Sequence, residues 1–129
     1  MIPLSNGYFA LYSSQKESLA TFLSGLFDIE WSHFADYLSP LSDSLGIFLK
    51  IGGMDFMILD GENGKYSGPI VHLLVSSQEE LEAMYKRAQF VSYRMGLIMN
   101  DSLQLDKGLL ILQDPDGRDW SFGIRGGNA

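Results

Sequence analysis

The chain has 129 residues, a formal charge of −7 and no cysteine. That length supports one hydrophobic core without covalent staples. The missing thiols exclude disulfides, thiolate metal sites and cysteine nucleophiles and suit a cytoplasmic compartment, while the negative balance repels phosphate backbones, so no nucleic acid is expected. The apolar runs, Ile70–Val75 among them, fall far short of the roughly 20 residues that cross a bilayer, so no membrane is expected either.

Taken in chain order, Met1–Ser14 has no basic stretch ahead of an apolar run and reads as a strand rather than a signal peptide, with Pro3 ahead of it. Ser14 and Glu17 have capping-box spacing, and Leu19, Phe22, Leu23 and Leu26 then form one apolar helical stripe. Residues 29–44 carry no clear period. Ile47–Ile51 turns at Gly52-Gly53 into Met54–Leu59, a hairpin whose glycines supply positive φ. The polar stretch Glu62–Ser67 reads as a linker.

A second strand, His72-Leu73-Leu74-Val75, leads into Ser77 and Glu80, again at capping-box spacing. The stripe that follows, Leu81, Met84, Tyr85, Ala88, Val91 and Met95, slips by about one residue relative to its cap. After a second ill-defined stretch, 97–107, comes the hairpin Leu109–Gln113 and Trp120–Ile124, joined through Asp114-Pro115-Asp116-Gly117.

The two halves repeat. Phe9-Ala10-Leu11-Tyr12-Ser13-Ser14-Gln15 aligns with His72-Leu73-Leu74-Val75-Ser76-Ser77-Gln78 at an offset of 63 residues. The expected fold is therefore α+β, a single domain of two tandem βαβββ units (about 6–62 and about 68–126), with a curved mixed sheet around a cleft and helices on the outer face. Strand alternation at this offset puts Phe9, Leu11, His72 and Leu74 on the face away from the helices, with Asp55, Met57 and Ser121 from the later strands. Such a face, mainly apolar with a few polar groups, suits a small ligand.

The duplicated βαβββ pattern, the strand His72-Leu73-Leu74-Val75 before a capped helix, and the late hairpin from Leu112 through Asp114-Pro115-Asp116-Gly117 to Phe122 resemble the vicinal oxygen chelate superfamily. That superfamily includes glyoxalase I, bleomycin-resistance proteins, fosfomycin-modifying transferases and extradiol dioxygenases. The resemblance implies ligand slots on the first and last strand of each unit, which fall at Phe9, His72, Asp55 and Ser121. Phenylalanine cannot ligate and serine is a poor neutral ligand, so His72 and Asp55 are the two candidate metal ligands left, short of the usual three or four.

Other readings stand beside these. His72 could be a satisfied core histidine, and Asp55 either reaches solvent or pairs with a group such as His72, since an unpaired buried carboxylate is costly. The Asp114–Gly117 turn reads as fold alone, Arg87, Arg94, Arg118 and Arg125 as solvated surface, and His33 carries no motif. The expected function is metal-free binding of a small aromatic or cationic molecule at Phe9, Asp55, Met57, His72 and Ser121, without cofactor, in a homodimer. The alternative is a lyase, isomerase or thiol transferase using a divalent metal on His72 and Asp55; a cleft filled by its own side chains, in an interaction module, is a third. Whether the chain is an enzyme stays open at this point.

Overall fold

The computed structural model describes residues 8–35, 45–61, 71–97 and 103–126; Pro3, the 62–67 linker and the outer limits of the first unit lie outside the described residues. The elements run β1 (Phe9–Ser13), α1 (Lys16–Phe27), β2 (Trp31–Ala35), β3 (Leu45–Ile51), β4 (Met54–Asp60), β5 (Val71–Val75), α2 (Gln78–Met95), β6 (Gln104–Asp106), β7 (Leu109–Gln113) and β8 (Asp119–Ile124). They make two tandem βαβββ units, each with its own four-stranded mixed sheet, in the orders β1-β4-β3-β2 and β5-β8-β7-β6. In each sheet the first strand runs parallel to the last, and the remaining pairs are antiparallel. The first hairpin turns on Gly52 and Gly53 at φ 56° and 82°, a conformation that a side chain would strain.

The true offset between the units is 62, not the expected 63: β1 and β5 begin at Phe9 and Val71, and the helices at Lys16 and Gln78. Buried Leu19, Phe22 and Leu26 of α1 thus correspond to Leu81, Met84 and Ala88 of α2. The one-residue slip noted in the second stripe is this difference. Its origin is the helix start. Ser77 caps α2, accepting from the Glu80 N–H at 3.2 Å, while Glu80 accepts from the Ser76 N–H at 3.0 Å. That backbone donor, aided by the Ser76 side chain, holds the Glu80 carboxyl below its ordinary value. In the first unit the Ser14–Glu17 box does not form. The cap is Gln15, which makes no side-chain cap bond, and the Ser13 hydroxyl accepts from the Gln15 N–H at 2.9 Å instead.

One hydrophobic core joins the units, with buried residues from both helices and both sheets. Phe56 of β4 meets Trp120 of β8 with ring centroids 6.2 Å apart, and Phe27 of α1 lies 6.0 Å from Trp120 and 5.8 Å from Phe122. The helices cross closely at Gly25, where an added Cβ would stand 2.6 Å from Val91 Cγ2. Gly25→Ala therefore sets a helix-propensity gain of about 1 kcal/mol against an overpacking cost of about 1–3 kcal/mol. The clash is with a branched, stiff side chain buried in the core, so net destabilisation is expected in urea melts. Val91→Ala in the same chain should recover part of that loss; a more stable Gly25→Ala would show that the helices part freely.

The Asp114–Gly117 turn does more than reverse the chain, and Arg118, expected at the solvated surface, is 3% exposed. Asp114 Oδ1 accepts from the Asp116 and Arg118 backbone N–H groups, and Oδ2 accepts from Arg118 Nη1 at 2.8 Å and Trp120 Nε1 at 2.9 Å. Arg118 Nη2 then donates to the Tyr12 carbonyl of β1, and Ser13 Oγ donates to Asp116 Oδ2 at 2.7 Å. The turn of the second unit is thereby bolted to the first strand of the first. A guanidinium has enough donors to serve both sides, which makes its burial tolerable.

Candidate functional site

Alternation on β8 sends Trp120 and Phe122 into the core and Ser121 and Gly123 to the opposite face. The neighbouring edge strand β5 matches this: Val71, Leu73 and Val75 pack on the core, while His72 and Leu74 are exposed. Parallel register pairs His72 with Ser121 and Leu74 with Gly123. His72 Nδ1 lies 2.6 Å from Ser121 Oγ, so either the hydroxyl donates to a neutral ring nitrogen or Nδ1–H donates to the hydroxyl. The imidazole rests over Gly123, where a Cβ would come within 3.4 Å of its ring atoms. Glycine leaves room for the ring to lie along the sheet. Ser121 is buried beneath an exposed His72, whose Nε2 has no hydrogen-bond partner among the described residues.

The expected partner of His72 in the first unit moves. Phe9 is in register with Phe56 and stacks on it, ring centroids 5.3 Å apart at 30°, two positions before the buried core residue Leu11. Phe9 and Leu11 therefore lie on the helix-facing side, not on the open face. A register error of one residue exchanges the two faces of a strand, and the offset of 63 made that error. At the observed offset the counterpart of His72 is Ala10, in register with Met57 as His72 is with Ser121. Neither Ala10 nor Met57 carries a hard ligand.

Met57 and Asp55 do occupy the open face of the first sheet, opposite buried Phe56 and Ile58. Asp55 stands on the first sheet and His72 on the second, and Asp55 makes an ion pair with Lys50, in register with it across β3 and β4, with Nζ 3.9 Å from Oδ1. That oxygen is shielded from solvent and accepts no hydrogen bond among the described residues, an unusual state for a carboxylate. The His72–Ser121 contact was not anticipated from the sequence. The slipped stripe of α2 was the signal that could have placed Ala10, rather than Phe9, opposite it.

His72 and Asp55 alone fall short of the three or four protein ligands that a divalent metal needs. His72 has a hydroxyl and a glycine beside it, and Asp55 has a lysine. Among the described residues no group of three or more His, Cys, Asp or Glu side chains could hold an ion. Nor is any described helix long and apolar enough to cross a membrane.

Among the described residues both first strands are sheet edges. They present Phe9, Tyr12 and Leu74 at 57%, 48% and 52% exposure. Uncovered apolar side chains on unpaired strand edges favour association.

The fold is shared with solved structures. The fosfomycin resistance protein FosX from Listeria monocytogenes, complexed with manganese(II) and sulfate, aligns with a TM-score of 0.65 at 18% identity, over 98% of this chain and 95% of that one. FosX from Mesorhizobium loti aligns at 0.63 and 17% identity, over 98% and 94%, and a hypothetical protein from S. aureus at 0.66 and 14%, over 95% of each. No protein-family model matches the chain, and no curated protein matches it by sequence.

Proposed function

We propose that this chain, a single domain of two units, is a metal-free small-molecule binding protein of the cytoplasm whose sites lie on the open sheet faces and are completed by a second copy. The observation that carries this reading is the exposed His72 ring held by Ser121 over Gly123. Its donor or acceptor is presented with an orienting hydroxyl behind it, as in a recognition site, and without a carboxylate. Alternation on the neighbouring strands adds Leu74 and Ile111 to this face, apolar surface for a planar ligand. On the first sheet Met57 and the shielded Asp55 Oδ1 would suit a cationic group. Phe9 joins the site only if the second copy brings its exposed edge there. Among the described residues, the register neighbours of His72 on this face, Ser121, Gly123, Leu74 and Ile111, offer an anion such as a phosphonate no positive charge, which favours an aromatic or cationic molecule.

The test is metal analysis with a thermal-shift screen. Protein stripped with chelator and reloaded is expected to hold no stoichiometric Mn, Ni, Zn or Fe. Some planar aromatic or cationic compounds should raise Tm, by the equivalent of about 2.7 kcal/mol at a hundred times Kd. His72→Ala should abolish the shift while leaving the unliganded Tm within about 2 °C, because the ring is exposed. Stoichiometric metal that disappears in His72→Ala would replace this reading with a metal-dependent lyase, isomerase or thiol transferase.

A further inference from the structure

A concavity among the described residues lies on the helix layer, away from both open sheet faces. It is a groove of about 570 Å³ between α1 and α2, lined by Thr21, Ser24 and Gly25 on one side and by Lys86, Arg87, Phe90, Val91, Arg94 and Met95 on the other. The sequence dictates this shape. On α1 three small residues at helical neighbour positions leave a trough, and on α2 the rows Lys86-Phe90-Arg94 and Arg87-Val91-Met95, each spaced by four, raise its wall. The volume falls within the range of small-molecule sites, and the wall mixes apolar and cationic groups.

The charge is the informative feature. In a chain of net charge −7, the lining holds three cations and no carboxylate. None of the three forms an ion pair among the described residues. Arg87 donates Nε to the Leu26 carbonyl at 2.8 Å, which fixes it at the end of α1, and its charge also acts on the Glu80 carboxylate. Arg94 lies over the Phe90 ring, 5.7 Å from its centroid, and Phe90 itself is 62% exposed. A large apolar ring left in water beside three cations that form no ion pair among the described residues asks for a ligand with both characters.

We infer that this groove binds a small amphiphilic anion, an apolar body lying along Phe90, Val91 and Met95 with a carboxylate or sulfonate head between Lys86, Arg87 and Arg94. The site is separate from the sheet-face reading and does not depend on it. Calorimetric titration of the full chain with decanoate and with naphthalene-2-sulfonate tests it. Both should bind, roughly tenfold more tightly than the matched neutral alcohol, and more weakly as salt is raised. Lys86→Glu with Arg94→Glu should weaken binding at least tenfold or so, and Thr21→Trp, which fills the trough from an exposed position without altering charge, should do likewise. His72→Ala should bind as the parent does. Absence of binding by either anion, equal binding of the neutral alcohol, or indifference to both groove variants would overturn the assignment. So would binding to phosphatidylglycerol vesicles without binding of the soluble anions, which would make the patch a membrane contact instead.

Discussion

Asp114→Asn is expected to cost about 3–5 kcal/mol of folding free energy, because an amide leaves two of the four buried donors facing an NH2 group without an acceptor, whatever the charge state of the carboxyl it replaces. The reason is geometric. Both carboxylate oxygens of Asp114 accept from two donors, so whichever way an amide is turned, its NH2 points at a pair of N–H groups. The loss also reaches beyond the turn, because Arg118 ties β1 through the Tyr12 carbonyl and Trp120 is the largest fully buried side chain of the shared core. Urea denaturation of parent and variant measures it. A loss under about 1 kcal/mol would mean that the Asp114–Arg118 pair is relieved by water and does not bolt the units together. Adding Arg118→Met to Asp114→Asn should return part of the loss, since the orphaned charge goes with it.

The same carboxyl sets a pH dependence. Burial pushes Asp114 above its ordinary value, against the pull of the Trp120 and Arg118 donors. With the folded pKa raised, the folded chain binds more protons than the unfolded one between the two values, so the contribution of Asp114 to stability falls as pH rises through that window and then levels off. The parent's advantage over Asp114→Asn is therefore expected to shrink on going up through the carboxylate range and to stay flat toward neutrality. An advantage that grows with pH over that interval would show that the four donors outweigh burial.

What the sequence could and could not disclose follows from how local each cue is. The helices were legible because Leu19, Phe22, Leu23 and Leu26, and later Leu81, Met84 and Ala88, repeat at helical spacing, and all are buried. The hairpins were legible because Gly52-Gly53 and Asp114–Gly117 leave the backbone few alternatives. The strands β2 and β6 were not: Trp31–Ala35 has no clean alternation, and Gln104–Asp106 is too short to show one. The repeated Ser-Ser-Gln points Phe9 to the wrong face, and the apolar stripes point it to the right one. Ser-Ser-Gln marks a cap in one copy only, whereas the stripes are held to the core in both. Arg118 was misplaced for a different reason. Its partners are a turn carboxylate within the motif and a carbonyl more than a hundred residues earlier, and only the second, invisible in the sequence, requires its burial.

Leu74→Asp is expected to leave the chain monomeric, as measured by sedimentation velocity. The proposed second copy would cover the β1 and β5 edges, and Leu74 sits on the open side of β5, half exposed and outside the core. A carboxylate there adds no strain to the monomer, so its Tm should stay close to that of the parent diluted below its association constant. In a covered interface the same carboxylate would lie unpaired against apolar surface, at a cost of at least about 3 kcal/mol, or roughly a hundredfold in the dimer Kd. Tyr93→Asp serves as the control, since Tyr93 is 85% exposed on α2, away from either strand edge, and the dimer should survive it. Loss of the His72-dependent ligand shift together with the dimer in Leu74→Asp would place part of the site on the second copy. A parent chain that sediments as a monomer at high concentration, or a Leu74→Asp chain that stays paired, would remove the second copy from the site and leave the exposed edges of β1 and β5 to be covered by something else.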